Sequence, residues 1–182
     1  MNRKSKILYI GFTLYFLPRT VLALHFSSAD VPPNSSIRNT YIMNKFGCGG
    51  LNISPELQWS NPPEGVKSYA VSVYDQDAPR GWWHWLIYDI PARIEKLSSG
   101  AGKPAGGNGP FGSHQAINDY GEIGWGGPCP PKGNPPHRYI FTLYALDVAK
   151  LPVTVNKMAK VVTPIVIKHS ISSVSFIAYY GR

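Results

Sequence analysis

The side chains best suited to chemistry are concentrated in the segment 75–85, DQDAPRGWWHW. It places the carboxylates of Asp75 and Asp77 near His84 and frames that histidine with tryptophans. Charged groups favour water and large aromatic rings favour burial, so it is energetically costly to concentrate both in one short loop unless the loop lines a binding site. The segment therefore predicts one wall of a pocket.

A second histidine, His137, stands with Arg138 between the proline-rich segment 128–136 and an alternating run at 139–146. Side chains at the start of a strand are held rigidly. Two histidines and an aspartate could hold a metal ion or act as general acid and base, which leaves a metal-assisted hydrolase as an alternative. The sequence contains no G-x-S-x-G, H-E-x-x-H, phosphate-loop or C-x-x-C motif, so we do not expect an enzyme.

The elements that must position these groups are mainly strands. Residues 68–74 alternate like a strand with one face in a core, and the apolar run 85–90 is its partner across the loop. Seventeen prolines and eighteen glycines favour long ordered loops and a mainly β, α+β fold. The other predicted elements are strands at 24–28, 139–146 and 173–180, and a short or broken helix within 156–170 that contains Pro164.

The first 23 residues have the pattern of a signal peptide. Basic residues open it, an apolar run follows at 7–17, and Val21-Leu22-Ala23 forms a small-residue cleavage site. We predict cleavage after Ala23 and one domain at 24–182, which would be periplasmic or secreted without a stable membrane span. An uncleaved anchor is the alternative, but the apolar run is well short of the roughly 20 residues that a spanning helix needs.

Cleavage would lower the net charge of the chain. The full sequence has 18 Lys and Arg against 10 Asp and Glu, and four of the basic residues lie in the first 23, so 14 − 10 leaves +4 instead of +8. The remaining basic residues are scattered and are not interleaved with aromatic residues, which argues against nucleic-acid binding. A mild preference for anions is what this balance supports.

Two cysteines, Cys48 and Cys129, remain after the predicted cleavage. In an oxidising compartment an even pair is more often a disulfide than two free thiols. Their spacing matches no zinc motif, and two unpaired buried thiols are the alternative.

Three motifs in order resemble the signatures of the phosphatidylethanolamine-binding protein family, above all its bacterial, Raf kinase inhibitor-like branch: DQDAP at 75–79, GWWHW at 81–85 and PPKGNPPHRY at 130–139. Similarity through NISPELQW, DIPA, NDYG and YIFTLYALD extends this over most of the chain. The resemblance implies a central antiparallel sheet packed by a second, smaller sheet, with few peripheral helices. It also implies a small surface cavity for phosphate-like anions, including phosphorylated head groups and side chains, and no cofactor.

The resemblance also implies the ligand-binding residues, by motif match: Asp75, His84, His137 and Tyr139, with Gly127 and Pro131 on the rim. Imidazole N–H groups can donate to an anion, and glycine or proline at a rim lets backbone amides approach a phosphate. Asp75 would repel an anion, so we expect it to orient a histidine or bond loop amides. Trp82, or alternatively Trp83, is expected to cover the apolar part of a ligand.

Plainer roles compete with some of these assignments. His84 could be a structural histidine, Asp77 is expected to cap the amides of its own turn, and Arg138 is expected to form an ion pair or point to solvent. The sequence departs from the family pattern in two places, with Gln76 in place of proline and with a short segment before Trp82. Both departures could change the size of ligand that the cavity accepts.

The sequence as a whole predicts an exported, non-catalytic binding module for a small phosphorylated or otherwise anionic ligand, which could modulate a partner protein. A protease or kinase inhibitor acting through a surface loop and a metal-assisted hydrolase are the alternatives.

Overall fold

The structure is a computed structural model that describes residues 22–103 and 108–182. The predicted signal peptide lies outside these residues except for Leu22 and Ala23. The strands are β1 (His25–Ser27), β2 (Leu57–Ser60), β3 (Ser68–Asp75), β4 (Trp82–Pro91), β5 (Lys96–Leu97), β6 (His114–Gln115), β7 (His137–Leu146) and β8 (Ser170–Tyr180), and the α-helix is α1 (Ala159–Lys168). Within the described ranges, no helix has the length and apolar character needed to cross a membrane.

The strands form two antiparallel sheets, which confirms the predicted fold class. The larger sheet has the order β6-β4-β3-β7-β8, and the smaller has the order β1-β2-β5. In the larger sheet Asp75, the last residue of β3, lies opposite Trp82 of β4 on one side and Tyr139 of β7 on the other. This register brings the acidic loop, the tryptophan cluster and the start of β7 to the same edge of the sheet.

Strand β3 is buried on both faces, whereas its alternation predicted one buried face. Tyr69 and Val71 pack in the core between the two sheets. On the opposite face Ala70 packs in a second cluster with Val162 and Val166 of α1. The small side chain of Ala70 leaves room for the helix, which an alternation pattern within one strand does not reveal.

Helix α1 is continuous over ten residues although it contains Pro164. The helix is short, as predicted, but it is not broken. Its buried residues Ala159, Val162, Thr163 and Val166 recur at helical spacing. Packing of this face on the sheet stabilises the helix against the loss of one backbone hydrogen bond at the proline.

The two cysteines form a disulfide, as the sequence predicted. Cys48 and Cys129 are joined with their Cα atoms 5.8 Å apart. The bond ties the loop around Cys48 to the proline-rich loop that leads into β7. It therefore links two long loops next to the edge of the sheet where Asp75 lies.

Candidate functional site

Asp75 is almost completely buried, with 3% of its surface exposed, and both of its carboxylate oxygens are engaged. Oδ1 accepts hydrogen bonds from the backbone N–H groups of Asp77 at 2.9 Å and Ala78 at 3.1 Å. Oδ2 accepts from Nδ1–H of His137 at 2.7 Å. Asp75 thus performs both tasks expected of it, because it holds the turn and it orients a histidine.

His137 is the first residue of β7, which pairs with β3, and this pairing brings its ring to Asp75. Because Nδ1–H donates to the carboxylate, the neutral ring carries its lone pair on Nε2. On protonation the same atom becomes a donor. His137 can therefore present either an acceptor or a donor at one fixed position.

His84 lies in β4 and is 2% exposed. Its Nδ1–H donates to the carbonyl of Gly126 at 2.6 Å, so Nε2 again carries the lone pair. Burial lowers the pKa of His84, although the Gly126 carbonyl and the charges of Asp75 and Asp119 oppose this shift. The free protein therefore holds His84 neutral at pH 7.

Five of the predicted ligand-binding residues line a single cavity of about 470 Å³: Asp75, Trp82, His84, Pro131 and His137. They come from two segments more than 40 positions apart in the sequence. The acidic loop and the tryptophan cluster supply one wall, and the proline-rich loop before β7 supplies another.

Two further predicted residues support the cavity from behind and do not line it. The hydroxyl of Tyr139 is buried with no partner among the described residues, and its ring packs edge-on against His84 with centroids 5.2 Å apart. Burial raises the pKa of Tyr139, so the hydroxyl stays protonated. The N–H of Gly127 donates to Oδ1 of Asn52 at 2.7 Å, so this amide is not free for a ligand.

Gly127 is a glycine for a packing reason. A Cβ at this position would lie 2.4 Å from the carbonyl oxygen of Tyr41. Motif matching assigned Gly127 and Tyr139 to the ligand. A motif gives the position of a residue in the chain, but it does not show where its side chain or backbone N–H points.

The lining residues that the sequence did not assign to the ligand include Phe46, Tyr120 and Arg182. Tyr120 belongs to the NDYG motif, and its hydroxyl donates to the carbonyl of Gly127 at 3.1 Å. Phe46 lies two residues before Cys48, so the predicted disulfide was a signal that could have placed it near the rim. No pattern in the sequence pointed to Arg182.

The carboxylate of Asp77 accepts from the backbone N–H of Arg138 at 2.7 Å and from its Nε–H at 3.0 Å. Hydrogen bonds from the Arg138 side chain lower the pKa of Asp77 to about 2. The expected ion pair of Arg138 is therefore present. Asp77 thus caps a backbone amide, as expected, but that amide belongs to Arg138 of β7, whereas the amides of the turn itself donate to Asp75.

The cavity combines polar groups with aromatic walls. Among the described residues, no cluster of three or more His, Cys, Asp and Glu side chains could hold a metal ion. The indole N–H of Trp82 is buried and has no hydrogen-bond partner among the described residues. Its ring packs edge-on against Tyr120, with the ring centroids 5.2 Å apart. The arrangement suits recognition of a ligand that has both hydrogen-bonding and apolar parts.

A family model described as phosphatidylethanolamine-binding protein matches residues 27–181. The chain belongs to the phosphatidylethanolamine-binding protein family. This confirms the resemblance carried by the three motifs, and the match covers both sheets and both walls of the cavity.

Two relatives in Escherichia coli are similar over more than four fifths of the chain. YbcL of Escherichia coli K12 is 42% identical over 161 residues, which are 86% of this chain and 88% of YbcL. YbhB of the same strain is 38% identical over 156 residues, which are 85% of this chain and 98% of YbhB.

Solved structures of the family agree with the fold. The crystal structure of YbcL matches with a TM-score of 0.84 at 39% identity, over 87% of this chain and 98% of that one. The crystal structure of CT736 from Chlamydia trachomatis matches with a TM-score of 0.73 at 29% identity, over 88% and 98%. The two-sheet architecture around the cavity is thus that of the phosphatidylethanolamine-binding proteins.

The departure from the family motif at Gln76 lies outside the cavity. With its amide oriented to satisfy its hydrogen bonds, the oxygen of Gln76 accepts from the guanidinium of Arg138 at 2.9 Å. Gln76 therefore reinforces the link between the acidic loop and β7, and it is not among the residues that line the cavity.

Proposed function

We propose that this phosphatidylethanolamine-binding protein family member is an exported binding module that takes phosphate-like or phosphorylated ligands without catalysis. The observation that carries the proposal is that His84 and His137 line one cavity with both Nδ1 atoms already committed. Each Nε2 is left for a ligand. Once protonated, each ring donates a charge-assisted hydrogen bond to an anionic oxygen.

The charges around the cavity also favour an anion. The carboxylate of Asp75 is satisfied by three hydrogen bonds, which reduces its repulsion of a nearby phosphate. Arg182 lines the cavity, and its guanidinium is always charged. The net charge of +4 on residues 24–182 acts in the same direction.

Export is supported by the signal-peptide pattern and by the disulfide. Disulfides persist in oxidising compartments and are rare in the cytosol. A protein partner, and inhibition of a protease or kinase through a surface loop, stay predictions from the sequence.

The test is thermal unfolding of the protein purified after expression of the full chain, with inorganic phosphate added at about ten times its Kd. Such an excess corresponds to roughly 1.4 kcal/mol, so we expect the Tm to rise by about 3–6 °C. The rise should be larger near pH 6 than near pH 8, because protonated imidazoles bind the anion better.

Matched histidine variants show whether this rise comes from the cavity. His84→Gln and His137→Gln should lose most of it, whereas His25→Gln, an exposed histidine outside the cavity, should keep it. An unchanged Tm at millimolar phosphate at both pH values would contradict the proposal. Stoichiometric micromolar zinc binding that both cavity variants abolish would favour the hydrolase instead.

A further inference from the structure

The cavity is larger and more apolar than a phosphate ion requires. Its volume of about 470 Å³ lies within the roughly 300–1,000 Å³ of pockets that hold small organic molecules. Half of its lining residues are prolines or carry a large aromatic ring: Phe46, Pro79, Trp82, Tyr120, Pro130 and Pro131. A ligand that fills this space carries an apolar group beside its anionic one.

Phe46 presents an aromatic face at this wall. Its side chain is 66% exposed, and its backbone has φ 55°, a left-handed conformation that is unfavourable for phenylalanine. The ring stacks on Tyr120 with centroids 5.7 Å apart and planes 13° apart. A large ring held in a strained conformation without being buried leaves hydrophobic surface that a ligand can cover.

The loop that carries Phe46 is held in place at the rim. The disulfide joins Cys48 to Cys129, and Arg182 bridges the same two loops. Its Nε–H donates to the carbonyl of Pro130 at 2.8 Å, and its Nη1 donates to the carbonyl of Gly47 at 3.0 Å. A wall fixed in this way loses little conformational freedom when a ligand binds.

Arg182 is also suited to contact the anion. The two bonds above use two of its five N–H groups, and no salt bridge to it occurs among the described residues. Guanidinium groups recognise phosphate oxygens in pairs, with a charge that does not depend on pH. Among the described residues that line the cavity, Arg182 is the only lysine or arginine, so it supplies a positive charge that does not depend on pH.

We infer that Phe46 and Arg182 determine the ligand specificity of the cavity, and that its ligands are phosphomonoesters of an aromatic group. The phosphate lies between Arg182 and the two imidazoles, and the aromatic group lies against the wall formed by Phe46 and Tyr120. This inference rests on the proposed function, and it adds the ligand class and two residues that the family motifs do not contain.

The experiment is calorimetric titration of the purified protein with three probes: inorganic phosphate, phosphoethanolamine and phenyl phosphate. Phenyl phosphate should bind about tenfold more tightly than the other two, because only its ring can cover Phe46. Phe46→Ala should weaken phenyl phosphate binding by about three- to tenfold and leave phosphate binding unchanged. Arg182→Gln should weaken all three by about tenfold or more.

Two control variants match these changes outside the cavity. Phe111 is also exposed, at 52%, with φ 60°, so Phe111→Ala removes a comparable ring. Arg93 is exposed and makes no side-chain hydrogen bond within the described residues, so Arg93→Gln removes the same charge. Both controls should bind all three probes like the wild type, and thermal melts establish that every variant is folded.

The outcomes separate this inference from the function on which it rests. Equal affinity for phenyl phosphate and phosphate, or an unaffected Phe46→Ala variant, overturns the aromatic ligand class while phosphate binding still supports the pocket. Unchanged binding by Arg182→Gln overturns the role of Arg182. Failure of all three probes to bind the wild type overturns the proposed function itself.

Discussion

The charge that His84 presents to a ligand depends on pH. In the unfolded chain this histidine has its ordinary pKa of about 6.5, and burial lowers the pKa in the folded protein. As the pH falls below about 6.5 the unfolded chain binds more protons, so the free protein loses stability. A bound anion favours the imidazolium form of His84. Anion binding should therefore offset this loss of stability at low pH, and the protein should take up a proton when the anion binds.

Sulfate tests this directly, because its charge does not change between about pH 5 and about pH 8 and any pH dependence then belongs to the protein. We expect sulfate to bind about tenfold more tightly at the lower end of that range. His84→Gln should flatten the profile, whereas the exposed His25→Gln should not. Calorimetry in buffers of different ionisation enthalpy measures the protons taken up, and a sulfate affinity that is the same at all these pH values would refute the coupling.

Asp75, His84 and His137 could be placed together from the sequence because the motifs that contain them have a distinctive composition and order, and all three line the cavity. Phe46 could have been placed near the rim only through the predicted disulfide of Cys48, and Arg182 could not be placed at all, because it reaches the cavity through backbone carbonyls of distant loops. Such contacts leave no local pattern in the sequence.

The acidic loop is tied to strand β7 by Asp77 and Arg138. The pKa of Asp77 is lowered to about 2 from its ordinary value of 3.8, mainly by hydrogen bonds from the Arg138 side chain. A lowered folded pKa stabilises the protein above the unfolded pKa, and this contribution disappears as the pH falls through the folded value. The ion pair between Asp77 and Arg138 should therefore stabilise the protein at neutral pH and lose this effect in strong acid.

We expect Asp77→Asn to lower the urea midpoint relative to the wild type at pH 7, and the difference to vanish as the pH approaches about 2. Glu64→Gln removes the charge of an exposed carboxylate with no side-chain partner in the described chain, and it should leave the midpoint unchanged. A difference for Asp77→Asn that persists undiminished in acid would show that the ion pair is not its cause.

Strand positions were predictable from alternation and the second sheet from the resemblance, but the place of the helix on the sheet was not. The sequence placed β3, β4, β7 and β8 closely, since each alternates or forms a continuous apolar run. That α1 covers the second face of β3 follows from tertiary packing, and the small residues Ala70 and Ala159 that permit it carry no signal of their own.

The disulfide closes a sequence separation of 81 residues, nearly half of the chain. Closing so long a loop restricts the unfolded chain and contributes on the order of 4 kcal/mol to stability. The same bond holds the Phe46 loop against the rim of the cavity. Export into an oxidising compartment would therefore supply both the stability of the whole molecule and the shape of its pocket.

The double variant Cys48→Ser, Cys129→Ser should consequently unfold at a lower urea concentration, with a loss of about 4 kcal/mol. Reductant should lower the urea midpoint of the wild type to that of the variant and leave the midpoint of the variant unchanged. This comparison distinguishes the loss of the disulfide from any destabilisation caused by the serine side chains. Because the Phe46 loop is then held only by Arg182 and weaker contacts, the preference for phenyl phosphate over phosphate should also fall. A wild type whose thiols are shown by labelling to be free, yet which keeps both its midpoint and its preference, would show that the loops need no covalent link.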